Sequence, residues 1–164
     1  MLRLRKLTVI SILTAAAVSG RLLIHGVNIQ PATLIVILTG WFFGWKAGLA
    51  EGLMVGLVTD MILELGYWTP FQMAAWGLIG LISHFIPKKV FLYVSWLGVS
   101  GYVFGLIMAF SYFLMAADIK IVLAMYASGL LFDTYHAVGN LMFGLLSPLL
   151  FKVFRREQEA LKIK

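Results

Sequence analysis

Residues 40–56 read GWFFGWKAGLAEGLMVG, a stretch in which glycine recurs at every fourth position and a lysine stands near the middle. One unbroken helix over 32–65 would have about 34 residues and a length of about 51 Å. The hydrocarbon core of a bilayer is roughly 30 Å thick, and burying Lys46 at its centre would cost about 2.5–3.5 kcal/mol. We therefore predict two helices that meet at a turn over 44–46, with the glycines packed against neighbouring helices.

The composition is that of an integral membrane protein. The chain has 164 residues, of which 62% are hydrophobic and 12% charged, and its mean hydropathy is +0.96. Soluble domains carry about 25% charged residues, so this chain has too little polar surface to cover a water-exposed globule. The net charge of +6 does not indicate nucleic acid, because Lys and Arg stand mainly at the ends of apolar segments. The chain has no cysteine, which excludes disulfides and thiol chemistry.

The same length rule predicts an all-α protein with a single domain of six membrane-spanning helices. The predicted helices cover 7–24, 32–44, 47–65, 71–86, 90–116 and 131–154. With six passes, every Lys and Arg except Arg21 and Lys120 falls on one side of the membrane. Such an excess marks the cytoplasmic side, so we predict that both termini are cytoplasmic.

Polar side chains gather toward the outer ends of these helices, although they are costly inside a membrane and often mark function there. They are predicted to line an outward-facing pocket for a water-soluble organic ligand: Arg21, Asn28, Gln30, Asp60, Glu64, Trp68, Gln72, Trp76, Asp133, His136 and Asn140. Two interpretations of Arg21 stay open, contact with the ligand or a buried pair with Asp60 or Asp133. The apolar segment 121–131, IVLAMYASGLL, is predicted to be an external loop that folds over the pocket as a lid or a partial helix.

The sequence favours a non-catalytic protein. It has no GxSxG, no HExxH and no glycine-rich loop ending in GK[ST]. Three histidines in separate regions make a weak set of metal ligands, so we expect neither a metal nor another cofactor. The alternatives are a small intramembrane enzyme that uses Asp133, His136 and Glu64, and a self-contained oligomeric carrier packed through its glycine stripes.

Four stretches together resemble the substrate-binding S components of energy-coupling factor (ECF) transporters. They are AAAVSGR at 15–21, NIQPATLIVILTGWFFGWKAG at 28–48, GYWTPFQMAAWGLIG at 66–80 and FDTYHAVGNLMFGLL at 132–146. The resemblance implies a vitamin-binding subunit of a bacterial plasma membrane that takes its ligand from outside. It also implies partners, namely a transmembrane T component and two cytoplasmic ATPase subunits.

The resemblance further implies where the T component binds. In the family, small residues on helix one form that contact, and the corresponding candidates here are Ser11, Ala15, Ala16, Ser19 and Gly20. The pattern looks most like the cobalamin-type S components, whose ligand is rich in amide groups that Asn28 and Gln30 would suit. Pantothenate, riboflavin and a queuosine precursor stay open, because a buried Arg21 would bind a carboxylate and aromatic side chains would stack on a flat ring.

Overall fold

The computed structural model describes residues 2–24, 26 and 28–162, and every regular element in this part of the chain is helical. The helices are α1 (Leu2–Leu23), α2 (Ala32–Phe43), α3 (Trp45–Leu63), α4 (Thr69–Ser83), α5 (Val90–Ala109), α6 (Phe113–Ala116), α7 (Ile119–Gly144) and α8 (Ser147–Ala160). A 3-10 turn, Phe110–Tyr112, joins α5 to α6. Three of the described segments are long and apolar enough to cross a membrane: Leu4–Leu23, Val90–Ala116 and Ile119–Gly144.

The predicted break between α2 and α3 is confirmed, and Gly44 forms it. The φ angle of Gly44 is 96°, a conformation that glycine adopts readily because it has no Cβ. Lys46 is exposed just after the break. From α1, Nζ of Lys6 donates a hydrogen bond to the carbonyl of Phe43, at 3.1 Å. This bond satisfies one of the carbonyls that the end of α2 leaves without a helical partner.

The glycines of this stretch pack α3 against α2 and α4. A Cβ at Gly48 would lie 2.7 Å from Cα of Gly40, and a Cβ at Gly56 would lie 2.8 Å from Cα of Met73. Real Cβ atoms essentially never come so close to other atoms. The backbones of the three helices are therefore in contact where the glycines lie, as the sequence predicts.

Six helices alternate in direction between two ends of the bundle, with α1, α3 and α5 running one way and α2, α4 and α7 running back. At one end, Lys6 of α1 meets the end of α2, and Tyr93 near the start of α5 bonds to Ser147 at the start of α8, at 2.6 Å. At the other end, Arg21 near the end of α1 lies 3.5 Å from Asp60 near the end of α3. The first end, called the basic end below, carries Arg5, Lys6, Lys46, Lys88, Lys89, Lys152, Arg155 and Arg156.

The prediction of one helix over 131–154 is wrong. The segment 121–131, expected to be an external loop, is part of the long helix α7, and a separate helix follows after two residues. This last helix, α8, has Pro148 in its first turn, where the missing N–H of proline costs nothing. The ring of Phe154 anchors α8 against Phe43, with centroids 5.5 Å apart. The other predicted ranges overlap α1 to α6 and differ mainly at their ends.

Candidate ligand-binding cavity

A cavity of about 520 Å³ lies at the end of the bundle opposite the basic end. The end of α1, the loop before α2, the start of α4, the end of α5 and the middle of α7 supply its walls. Small-molecule sites in proteins usually have volumes of roughly 300–1,000 Å³. This cavity therefore has room for an organic molecule of ordinary drug size.

The structure brings together most of the polar residues that the sequence singles out. The predicted residues that line the cavity directly are Arg21, Asn28, Gln30, Trp68, Gln72 and Asp133. Asp60, Trp76 and His136 are buried next to lining residues. Glu64 is exposed at the end of α3 and does not line the cavity. Asn140 lies further along α7, outside the lining, and donates hydrogen bonds to the carbonyl of Leu97 and to Ser100.

The loop between α1 and α2 is held against α7 by its amide side chains. Asn28 has a φ angle of 56°, in the left-handed region that asparagine tolerates better than most residues. Its Nδ2 donates to the carbonyl of Phe132 at 3.1 Å, and its Oδ1 accepts a hydrogen bond from Nε2 of Gln30 at 3.4 Å. Both amides are also part of the cavity wall, so this wall is fixed before any ligand arrives.

Arg21 forms a buried ion pair with Asp60. One guanidinium nitrogen lies 3.5 Å from the Asp60 carboxylate, and the exposed fractions of the two side chains are 13% and 2%. The guanidinium also lies over the ring of Trp76, 4.6 Å from its centroid, in a cation–π contact. Of the two acidic partners that the sequence leaves open, the structure pairs Arg21 with Asp60. Because Arg21 also lines the cavity, its contact with a ligand stays a prediction.

A buried chain of hydrogen bonds, called the floor below, lies behind the cavity wall at Phe104. The indole of Trp76 donates to the hydroxyl of Thr33 at 3.0 Å, and the same hydroxyl is bonded to Nε2 of His136 at 2.7 Å. All three side chains are fully buried. The ring of Phe104, which lines the cavity, packs against this hydrogen-bonded network. Its centroid lies 4.7 Å from the ring centroid of Trp76 and 4.9 Å from that of His136. These two hydrogen bonds tie α2, α4 and α7 together at one hydroxyl, and the partner of His136 here is Thr33 rather than Asp133.

Several lining residues are not identified by the sequence pattern. The segment 121–131, predicted as a lid, instead forms one wall through the helical residues Met125, Tyr126, Ser128 and Gly129. The lining also contains the aromatic residues Tyr67, Phe104 and Tyr112. Ser128 and the tyrosines interrupt apolar stretches, a signal that was present in the sequence. Phe104 gives no such signal, because it resembles any lipid-facing residue until the helices are packed.

The small residues of α1 fall into two groups. Ser11, Ala15, Ala16 and Ser19 are exposed on the surface of α1. Gly20 is half-buried, and a Cβ there would lie 3.1 Å from Cδ of Pro31 and even closer to its Cγ. Gly20 is therefore an internal packing residue, whereas the other four leave a surface of small side chains.

The described residues contain no group of three or more His, Asp or Glu side chains able to hold a metal ion. Comparison of the chain with protein-family models, with curated proteins and with solved structures finds no match.

Proposed function

We propose that this chain is the substrate-binding S component of an ECF-type vitamin uptake transporter. It would capture a water-soluble vitamin outside the cell and deliver it inward together with a T component and two ATPase subunits. The observation that carries the proposal is the cavity, whose wall holds Arg21, Asn28, Gln30, Gln72 and Asp133 at one end of a bundle of apolar helices. A binding protein needs such a preformed site.

Six spans in a bacterial plasma membrane are part of this proposal. The segments Leu4–Leu23, Val90–Ala116 and Ile119–Gly144 qualify by length and apolar composition. Helices α2, α3 and α4 pack tightly against one another, and from α1 to α5 each helix runs opposite to the one before it. The concentration of Lys and Arg at the basic end favours a cytoplasmic location for that end. The cavity lies at the opposite end, which supports capture of the ligand from outside.

The size of the cavity bears on the choice of vitamin. A volume of about 520 Å³ suits a compound of the size of pantothenate, riboflavin or a queuosine precursor. Cobalamin, with its corrin ring and nucleotide loop, is several times larger and would extend well beyond the described walls. Cobalamin stays an untested prediction, and we propose a smaller vitamin as the ligand.

The partners follow from what the chain lacks and from the surface of α1. No nucleotide-binding loop stands in the sequence, so energy from ATP would have to come from other subunits. The exposed Ser11, Ala15, Ala16 and Ser19 would let a helix of the T component approach closely, because small residues permit tight helix contacts in membranes.

The alternative of an intramembrane enzyme receives little support from the geometry. His136, one of the residues that such an enzyme would use, is fully buried and bonded to Thr33; it does not line the cavity, and the ring of Phe104, which does, packs against it. An enzyme would need this imidazole within reach of its substrate.

Binding and uptake experiments test the proposal. Calorimetry on the purified chain with cobalamin, thiamine, pantothenate, riboflavin and a queuosine precursor should give one-to-one binding of one compound. Trp68→Ala, in the cavity wall, should weaken it, whereas Trp45→Ala, exposed at the basic end, should not. In proteoliposomes, uptake should require ATP, the T component and both ATPases. Uptake by the chain alone would contradict the proposal and favour a self-contained carrier.

A further inference from the structure

We infer that the ligand is a small organic cation whose positive charge is met by the carboxylate of Asp133. The inference rests on the proposed function and narrows its substrate class. It follows from the charges, the packing and the aromatic side chains around the cavity.

The charges around the cavity do not cancel. Arg21 is the only Lys or Arg among the described lining residues, and Asp60 already compensates its charge from behind the wall. Asp133 is also in the lining and is only 5% exposed. In the part of the chain that the structure describes, no ion pair and no hydrogen bond reaches its carboxylate. Among the described residues, the lining therefore holds one carboxylate that lacks a partner.

The packing around Asp133 depends on a glycine in the neighbouring helix α5. A Cβ placed on Gly105 of α5 would overlap the carboxylate of Asp133. The absence of a side chain at Gly105 thus leaves the space that the carboxylate occupies at the cavity wall. A buried carboxylate is costly unless a cation or hydrogen-bond donors meet it, and a bound cation would supply that missing partner.

Aromatic rings line the same cavity as Asp133. Tyr67 and Trp68 meet edge to face, with centroids 5.2 Å apart, and the ring of Tyr112 lies 6.5 Å from that of Tyr67. Phe104, Tyr126 and Phe132 are the other aromatic residues of the described lining. The faces of such rings attract organic cations, and a cluster of them beside one carboxylate is a recurring way to bind a quaternary or protonated nitrogen.

An anionic ligand fits this arrangement less well. It would have to displace Asp60 from Arg21 or share the guanidinium with it, while it faced the unpaired carboxylate of Asp133. Repulsion between the negative charge of the ligand and the carboxylate of Asp133 would weaken the binding of an anion.

The test compares three vitamins of different charge on the purified full-length chain by calorimetry at pH 7. The probes are thiamine, which carries a permanent positive charge, riboflavin, which is neutral, and pantothenate, which is an anion. The inference predicts that wild type binds thiamine most tightly. Asp133→Asn should weaken that binding roughly 10-fold to 100-fold, the usual effect of losing a bond to a charged group. Glu64→Gln removes an exposed acid outside the cavity and should leave the affinity unchanged.

The other outcomes separate this inference from the proposed function. Tight binding of riboflavin or pantothenate that Trp68→Ala weakens and Asp133→Asn does not would overturn the cation inference and leave the proposed function standing. No binding of any of the three by folded wild-type protein would overturn the inference. If cobalamin and a queuosine precursor also fail to bind, the proposed function falls with it. The order of the wild-type affinities needs no variant, so a misfolded Asp133→Asn protein would not leave the inference untested.

Discussion

Replacing Gly48 by alanine tests the glycine packing that sets the arrangement of α2, α3 and α4. The new Cβ would lie 2.7 Å from both Cα of Gly40 and the carbonyl carbon of Gly80. These are backbone atoms that cannot rotate away, so the helices must move apart. Overpacking of this kind costs about 1–3 kcal/mol, and alanine returns up to about 1 kcal/mol through its higher helix propensity. With the overpacking at its upper end, we expect a net loss of about 2 kcal/mol.

Gly98 provides the matched control. It also lies inside a helix, α5, but a Cβ there would meet a single side-chain atom of Leu141 at 3.8 Å, an ordinary contact. Thermal unfolding in detergent, followed by tryptophan fluorescence, should show a Tm about 4–8 °C lower for Gly48→Ala. Gly98→Ala should unfold at the wild-type temperature or slightly above it. A Gly48→Ala protein as stable as wild type would refute the close helix packing described here.

Two further substitutions test the floor and the ion pair of the cavity. Thr33→Val should leave both the Trp76 indole and His136 without their shared partner and lower the free energy of unfolding by about 2–4 kcal/mol; an unfolding temperature equal to that of wild type would contradict the hydrogen-bonded floor. Arg21→Gln should cost about 3–5 kcal/mol, because it leaves Asp60 buried and unpaired. Adding Asp60→Asn should restore most of this stability in a double-mutant cycle, and strictly additive losses would contradict the pair.

The break at Gly44 could be predicted because two independent costs exclude one helix. An uninterrupted helix would be too long for the bilayer, and it would bury Lys46. The end of the chain offered a comparable signal in Gly144 and Pro148, which stand four residues apart in an otherwise apolar stretch. Apolar composition alone favours one helix over 131–154. Proline fits the first turn of a helix, and that signal predicts the separate helix α8.

The sequence likewise predicts some residues of the cavity and not others. Arg21, Gln72 and Asp133 stand out because ionisable and amide groups are rare in apolar helices. The sequence does not reveal that Arg21 pairs with Asp60, since that contact depends on how α1 and α3 pack. The sequence does not predict the roles of Thr33 and Phe104 for the same reason. A threonine or phenylalanine in an apolar helix is equally compatible with a lipid-facing, a buried or a cavity-lining position. Their roles appear only when three helices bring Trp76, Thr33 and His136 together.

The most direct test of the central claim is the labelling of single cysteines in whole cells, since the chain has no cysteine of its own. Ser128→Cys places a thiol in the cavity wall, and Lys88→Cys places one at the basic end. A membrane-impermeant maleimide added to intact cells should label Ser128→Cys, and the vitamin found by calorimetry should slow that labelling. Lys88→Cys should react only after the cells are permeabilised. Labelling of Lys88→Cys but not Ser128→Cys in intact cells would contradict an outward-facing binding cavity.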